Sequence, residues 1–228
     1  MAAAAEAGRV KRLYVDRSRG TRADVLAIID LVGRSKLSLV DDLRRDAHTD
    51  APQGVAAECV PISPVTLESL SSPMAALLVL DHIEDPHNVG ALARSALAAG
   101  ITGLVMSSRR AAPLSSVAFK AAVGALEKMS VAIVGSIPEA LSRLKDLDVW
   151  SVGLDADADK SLFELQLLTE PVAVVLGAEG GGLSHLTAKR CDVLASIPMT
   201  GKTESLNVSV SGALAAFEIM RVRASSSG

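Results

Sequence analysis

From Ala75 onward the chain repeats one pattern: a short, almost wholly apolar run, then a longer stretch with helical spacing. The runs are AALLVLD, GLVMS, SVAIVG, VWSVGL, PVAVVLG and VLASIPM, and the helical stretches begin near Asn88, Ser115, Ile137 and Ser205. A strand with one wet face alternates apolar and polar residues. A strand apolar throughout is covered on both faces, which a parallel sheet sandwiched between helices provides. The expected fold class is therefore α/β with a parallel sheet. Aromatic residues make up only 2% of the 228 residues while apolar residues reach 49%, so small aliphatic side chains must fill the core.

A smaller module precedes this region. From about Gly8 to Ile62 the extended runs VKRLYV, LSLV and GVAAECVPI alternate with ADVLAIIDLVG, in which Val25, Ile28, Ile29 and Val32 recur at helical spacing. The stretch PISPVTLESLSSP concentrates proline and serine, although VTLESL suits a short helix. The expected organisation is a small α/β domain over 1–62, a linker over 63–73, a main domain over 74–223 and a frayed tail over 224–228.

Several functions are excluded. No run approaches the roughly 20 apolar residues of a membrane span, and MAAAAEAGRVKR carries its charge after the alanines rather than before a longer apolar stretch, which predicts a cytoplasmic protein without a signal peptide. Cys59 and Cys191 lack metal or disulfide spacing and read as buried reduced thiols. A net charge of −3 argues against holding nucleic acid by global electrostatics. Local basic patches exist at Arg9, Lys11 and Arg12, at Arg17, Arg19 and Arg22, at Arg109–Arg110 and at Arg221–Arg223, each of which also reads as solvated surface.

Three motifs are decoys. Gly201–Thr203 ends like a phosphate-binding loop, but Ser196 stands where its first glycine belongs, and LGAEGGGLS lacks dinucleotide-binding glycine spacing. Asp155, Asp157 and Asp159 start like a calcium loop, yet Lys160 and Gln166 occupy its glycine and glutamate positions. His48, His82, His87 and His185 show no ligand spacing, and no serine sits in a nucleophile elbow, so neither metal nor acyl-enzyme chemistry is expected.

Three segments remain. Leu78–Gly100 reads as a strand, a polar turn and a helix capped by Asn88 and stopped by Gly100. Arg94 lies among Ala91, Ala93, Ala96 and Leu97, and a cation inside such a helix calls for an anionic partner, a substrate phosphate being one candidate. Pro171–Ser184 ends a buried strand in a four-glycine loop holding Glu179, either a tight turn or a place where backbone approaches a ligand. In Leu194–Arg223, Ser205 reads as a helix cap, and Val210, Leu214 and Phe217 as a core stripe. Ser205, Ser209, Gly212, Ala213 and Ala216 would instead admit another backbone, as in a dimer seam.

DPHNVGALARSA, VLGAEGGGLS and SIPMTGKTESLNVSVSGALAAFE resemble, in this order, the three signature motifs of the SpoU/TrmH family within the SPOUT superfamily, and the resemblance runs from about Leu78 to Arg223. RVKRLYVDR and QGVAAECVP resemble the family's N-terminal substrate-binding domain. Its opening helix is missing or reduced to AAAAEA, and Pro52 stands where a histidine is common. The likeness is nearest to the branch that methylates a guanosine of 23S rRNA.

The resemblance implies a SPOUT-type parallel sheet with a C-terminal trefoil knot, a homodimer, an RNA substrate and S-adenosylmethionine as methyl donor to a ribose 2′-hydroxyl. It also implies that Arg94 is a base or phosphate-holding group and that Asn88, Glu179, Ser205 and Asn207 orient the ribose, the arginine and the loops. Backbone around Leu176, Gly177, Ile197, Met199 and Leu206 would hold the cofactor. A 2′-hydroxyl is a weak nucleophile, so such a site must align it with the methyl and assist loss of its proton. Two alternatives are a tRNA ribose methyltransferase and a non-catalytic RNA-binding or ribosome-assembly factor on the same fold.

Overall fold

The computed structural model describes residues 1–45, 53–109, 111–201 and 205–226, Arg45 by its backbone alone. His48, Pro52, Arg110, Lys202 and Thr203, singled out above, lie outside the described residues. The chain forms two compact units, Met1–Ser63 and Pro64–Gly228.

In the first unit, strands β1 (Val10–Asp16), β2 (Leu37–Val40) and β3 (Val55–Cys59) form a sheet ordered β2-β1-β3, with β2 parallel and β3 antiparallel to β1. Helices α1 (Ala2–Glu6) and α2 (Ala23–Val32) supply Ala4, Ala5, Val25 and Ile29 to a core shared with Val10, Leu13 and Val15. Within AAAAEA, helix α1 is five residues long. Lys11, Arg12 and Arg19 are exposed, whereas Arg17 and Arg22 engage Asp41 and Asp24.

The second unit carries strands β4 (Ala76–Leu80), β5 (Gly103–Ser107), β6 (Ser130–Val134), β7 (Trp150–Leu154), β8 (Val172–Leu176) and β9 (Val193–Ala195). Their order is β6-β5-β4-β8-β7-β9 and every pairing is parallel, as the uninterrupted apolar runs predict. All residues of the central β4 and β8 are buried. Leu77, Val79, Ala173 and Val175 meet Ile137, Ala140, Leu141 and Leu144 of helix α5 (Ile137–Asp146), a layer in which each fully covered leucine or valine contributes about 1.5–3 kcal/mol. On the other face pack α3 (Pro86–Ala98), α4 (Ser116–Ala122) and α7 (Val208–Ser226), while α6 (His185–Arg190) packs beside α5.

Several expectations are corrected. From Pro64 on, the 63–73 stretch belongs to the second unit: Val65 bridges to Ala132, and Leu67 and Leu70 are buried in the core, because its few apolar residues outweigh its polar composition. The cap of α3 is Asp85, whose carboxylate accepts from the His87 amide, with Pro86 in the first turn. Asn88 sits inside the helix and is buried. The cap of α7 is Asn207 rather than Ser205, its Oδ1 accepting from the Ser209 amide at 2.8 Å. Nor is the tail frayed where it is described, since α7 runs to Ser226.

The faces of α7 are also the reverse of those expected. A Cβ on Gly212 would lie 2.2 Å from Leu92 Cδ2 and 2.7 Å from Leu176 Cδ1, so the small residues let α7 close onto its own chain. Gly212, Ala215 and Ala216 are buried, while Val210, Leu214, Phe217 and Met220 are exposed. Near the helix end, the Arg223 guanidinium donates to the carbonyls of Leu168, Met74, Ala75 and Glu170, tying α7 to the segments that enter β4 and β8.

Candidate active site

Parallel pairing places the exits of β4, β8, β7 and β9 on one edge of the sheet. There the chain builds a hydrogen-bonded cluster from three segments far apart in sequence. Asn88 Nδ2 donates to Glu179 Oε1 at 2.9 Å. Asn207 Nδ2 lies 2.8 Å from the same oxygen and 3.1 Å from Asn88 Oδ1. One carboxylate oxygen therefore gathers the start of α3, the glycine loop after β8 and the cap of α7.

The glycine loop is fixed by its backbone. The Ala178 amide donates to the Gly182 carbonyl at 3.0 Å and the Gly182 amide returns to Ala178 at 2.9 Å, with Gly180 and Gly182 at positive φ. A Cβ on Gly177 would fall 2.1 Å from the Gly182 carbonyl carbon and 2.3 Å from the Leu183 nitrogen. Leu183 then packs over Gly153 of β7 beside Leu194 and Cys191. The loop is further pinned by Asp81, a fully buried carboxylate at the exit of β4, whose Oδ2 accepts from the Ser184 amide at 2.9 Å.

A cleft of about 590 Å³ opens over this cluster, lined by His82, Glu84, Asp85, Asn88, Glu179 and Gly182 among others. That volume suits a nucleoside-sized group. Neither Asp81 nor His82 was identified from sequence as a site residue. The available signal was a polar pair at the exit of a run that is otherwise wholly apolar.

Of the residues named from sequence, the three hydrogen bonds unite Asn88, Glu179 and Asn207 and are made without Arg94 or Ser205, both of which are exposed. Arg94 is not inside the fold. It shares an outward ridge of α3 with His87 and Ala98, and it makes no hydrogen bond or ion pair among the described residues. Alanine fits both faces of a helix, so an alanine-rich surround does not reveal which side is wet. Leu176 is buried, Gly177, Ile197 and Leu206 are half-buried, and Met199 is exposed.

Both cysteines are half-buried rather than buried. Burial, with the Asp192 and Asp81 carboxylates adding to it, pushes the Cys191 thiol up to about 12, so it is not a thiolate nucleophile. Burial also raises Asp192, but hydrogen bonds from Lys145 and Ser151 outweigh that and hold its carboxyl below the usual range. Asp192 thereby fastens the start of β9 to β7. Among the described residues, no cluster of histidine, cysteine or carboxylates could hold a metal ion, and no helix is long and apolar enough to cross a membrane.

The family model described as the SpoU rRNA Methylase family matches residues 75–217, the whole stretch that builds the sheet edge and the cluster. The chain belongs to this family. A 23S rRNA (guanosine-2′-O-)-methyltransferase RlmB of Nitrosomonas europaea is 39% identical over 227 residues, covering 96% of this chain and 86% of that protein. The protein of the same name from Pseudomonas aeruginosa is 36% identical, covering 94% and 90%. Among solved structures, the SpoU methyltransferase AviRb of Streptomyces viridochromogenes in complex with AdoMet superposes with a TM-score of 0.85 at 24% identity, over 98% of this chain and 87% of that one. SpoU family membership thus covers the main unit, and the RlmB relatives and the AviRb fold extend over the first unit as well.

Proposed function

We propose that this protein is an S-adenosylmethionine-dependent RNA methyltransferase that modifies a ribose 2′-hydroxyl, its target a guanosine of 23S rRNA. The observation that carries the reading is the Asn88–Glu179–Asn207 cluster, which joins all three family motifs at one sheet edge. Similarity to RlmB proteins across both units supports the rRNA target.

The residues at the strand exits fit the cofactor. Gly177 presents bare backbone, and Ile197 and Leu206 offer half-buried aliphatic surface for an adenosyl group, with Leu176 behind them and Met199 at the rim. When bound, the cofactor supplies an activated methyl on a sulfonium. The cluster holds the glycine loop against α3 and α7 so that the ribose meets a preformed site, and Ser205, two residues before Asn207, orients the substrate. Arg94, exposed and paired with no carboxylate among the described residues, holds a substrate phosphate.

The first unit serves as the RNA-binding domain, with Lys11, Arg12 and Arg19 as phosphate contacts. The return from β9 to Asn207 forms the trefoil knot of the family. Support for this comes from Ser196, which bridges Ser161 and donates to Lys160 beside the loop after β7 before the chain comes back to Asn88. The protein acts in the cytoplasm.

The test is transfer from methyl-labelled S-adenosylmethionine to unmodified 23S rRNA and tRNA transcripts, followed by mapping of the nucleotide. A ribose methyl on a 23S rRNA guanosine is expected. A base methyl would overturn the reaction, and a ribose methyl on tRNA alone would overturn the target.

The protein acts as a homodimer through α7. Val210, Leu214, Phe217 and Met220 form one apolar stripe spaced three or four residues apart, a surface that water-facing helices avoid and a second copy would cover. Light scattering is expected to give twice the chain mass for the unsubstituted protein and the single-chain mass for Leu214→Glu/Phe217→Glu. Unchanged association in that variant would place the interface elsewhere.

A further inference from the structure

Helix α6 is fastened to the cleft through its cap. Ser184 lines the cleft and caps the helix: its Oγ lies 2.8 Å from Thr187 Oγ1 and accepts from the Thr187 amide, while its own amide donates to the buried Asp81 at 2.9 Å. Thr187 is fully buried, and the helix packs beside α5. The outer side of α6 is wet. His185 and Lys189 stand one turn apart on it, as do Leu186 and Arg190, and all four are exposed, Leu186 at 54%.

The two cations of this side have no anion of their own. The helix contains no carboxylate, and among the described residues neither Lys189 nor Arg190 forms an ion pair. Asp192, which follows the helix, is taken by Lys145 and Ser151. Arg190 Nη1 reaches Ser142 Oγ of α5 at 3.4 Å, a neutral and long contact. On a chain whose net charge is −3, two adjacent unpaired cations next to an exposed leucine mark a place where an anion is met.

Position says which anion. The cleft lies at one edge of the sheet, with Arg94 on α3 over one face of that sheet and α6 beside α5 over the other. An RNA strand whose target ribose enters the cleft continues past its rim. On the α6 side, the side chains beyond Ser184 are His185 and Leu186, with Lys189 and Arg190 about 6 Å further along the helix. We propose that the outer side of α6 holds the RNA backbone on one flank of the target nucleotide, Lys189 and Arg190 binding phosphates and Leu186 covering the sugar between them. The inference rests on the RNA methyl transfer proposed above. It gives the main unit a grip on the substrate across the sheet from Arg94, one that positions the strand and carries no sequence information of its own.

Lys189→Glu/Arg190→Glu in the full chain is expected to weaken binding of an unmodified 23S rRNA transcript by about 10-fold or more and to raise KM for it by a similar factor. S-adenosylmethionine affinity by calorimetry and the melting temperature stay as they were. In Lys189→Ala and Arg190→Ala, each lost phosphate contact lowers the slope of log Kd against log salt concentration by about 1, a readout that a merely structural role of α6 does not move. These single variants decide the matter if the double reversal unsettles the helix. RNA affinity and salt slope equal to those of the unsubstituted protein, or a loss carried by kcat alone, overturn the proposal and leave the methyltransferase reading intact. If the unsubstituted protein methylates no RNA, that reading falls, and this one with it.

Discussion

Gly177→Ala is expected to abolish S-adenosylmethionine binding and to lower the melting temperature, whereas Gly181→Ala, four residues on in the same loop, changes stability little. The Cβ added at Gly177 would sit 2.1–2.3 Å from the backbone of Gly182 and Leu183, and no rotamer relieves a clash with main chain. At Gly181 a Cβ meets nothing within 4 Å, and its φ is not positive. Overpacking against backbone costs about 3 kcal/mol, which for a chain of this size is a fall of roughly 6–12 °C. The loop cannot yield cheaply. Its ends are closed by the Ala178–Gly182 bonds, its exit is tied to the buried Asp81, and Leu183 is packed over Gly153. Calorimetry with the cofactor and thermal unfolding of both variants check this. Cofactor binding retained in Gly177→Ala would remove Gly177 from the proposed cofactor edge.

The same loop shows where the sequence was readable and where it was not. Every strand of the main unit was legible, because a parallel strand buried on both faces has no polar position to blur its run, as Ala76–Leu80 and Val172–Leu176 illustrate. In the first unit, the helical spacing of Val25 and Ile29 placed both in the core. Facing was harder to read than existence. On α7, alanine and glycine suit close packing and solvent alike, so Leu214 and Phe217 read as core, and both are outside. Asn88, Glu179 and Asn207 were named through family likeness. That one oxygen of Glu179 receives both amides is a product of the fold over separations of 91 and 28 residues, which no local pattern encodes. The Asp81–His82 pair went unread because a histidine is usually sought by ligand spacing, while this one is set by a backbone turn and a buried neighbour.

Arg94→Ala is expected to reduce methyl transfer by two orders of magnitude or more while leaving folding and cofactor affinity intact. The side chain is exposed and meets no acceptor of its own chain among the described residues, so truncation removes no internal contact, and such surface changes stay within about 0.5 kcal/mol. A phosphate held by a planar guanidinium receives two parallel hydrogen bonds, and losing such a charged clamp costs about 10²–10³ in rate where it aligns the reacting group. Arg94→Lys should fall between the two, since an ammonium keeps the charge without the fork. Single-turnover transfer to 23S rRNA, set beside melting curves and calorimetry for each variant, separates these effects. Full activity in Arg94→Ala would leave the ridge without a catalytic role and shift the phosphate contact to the basic side chains of the first unit.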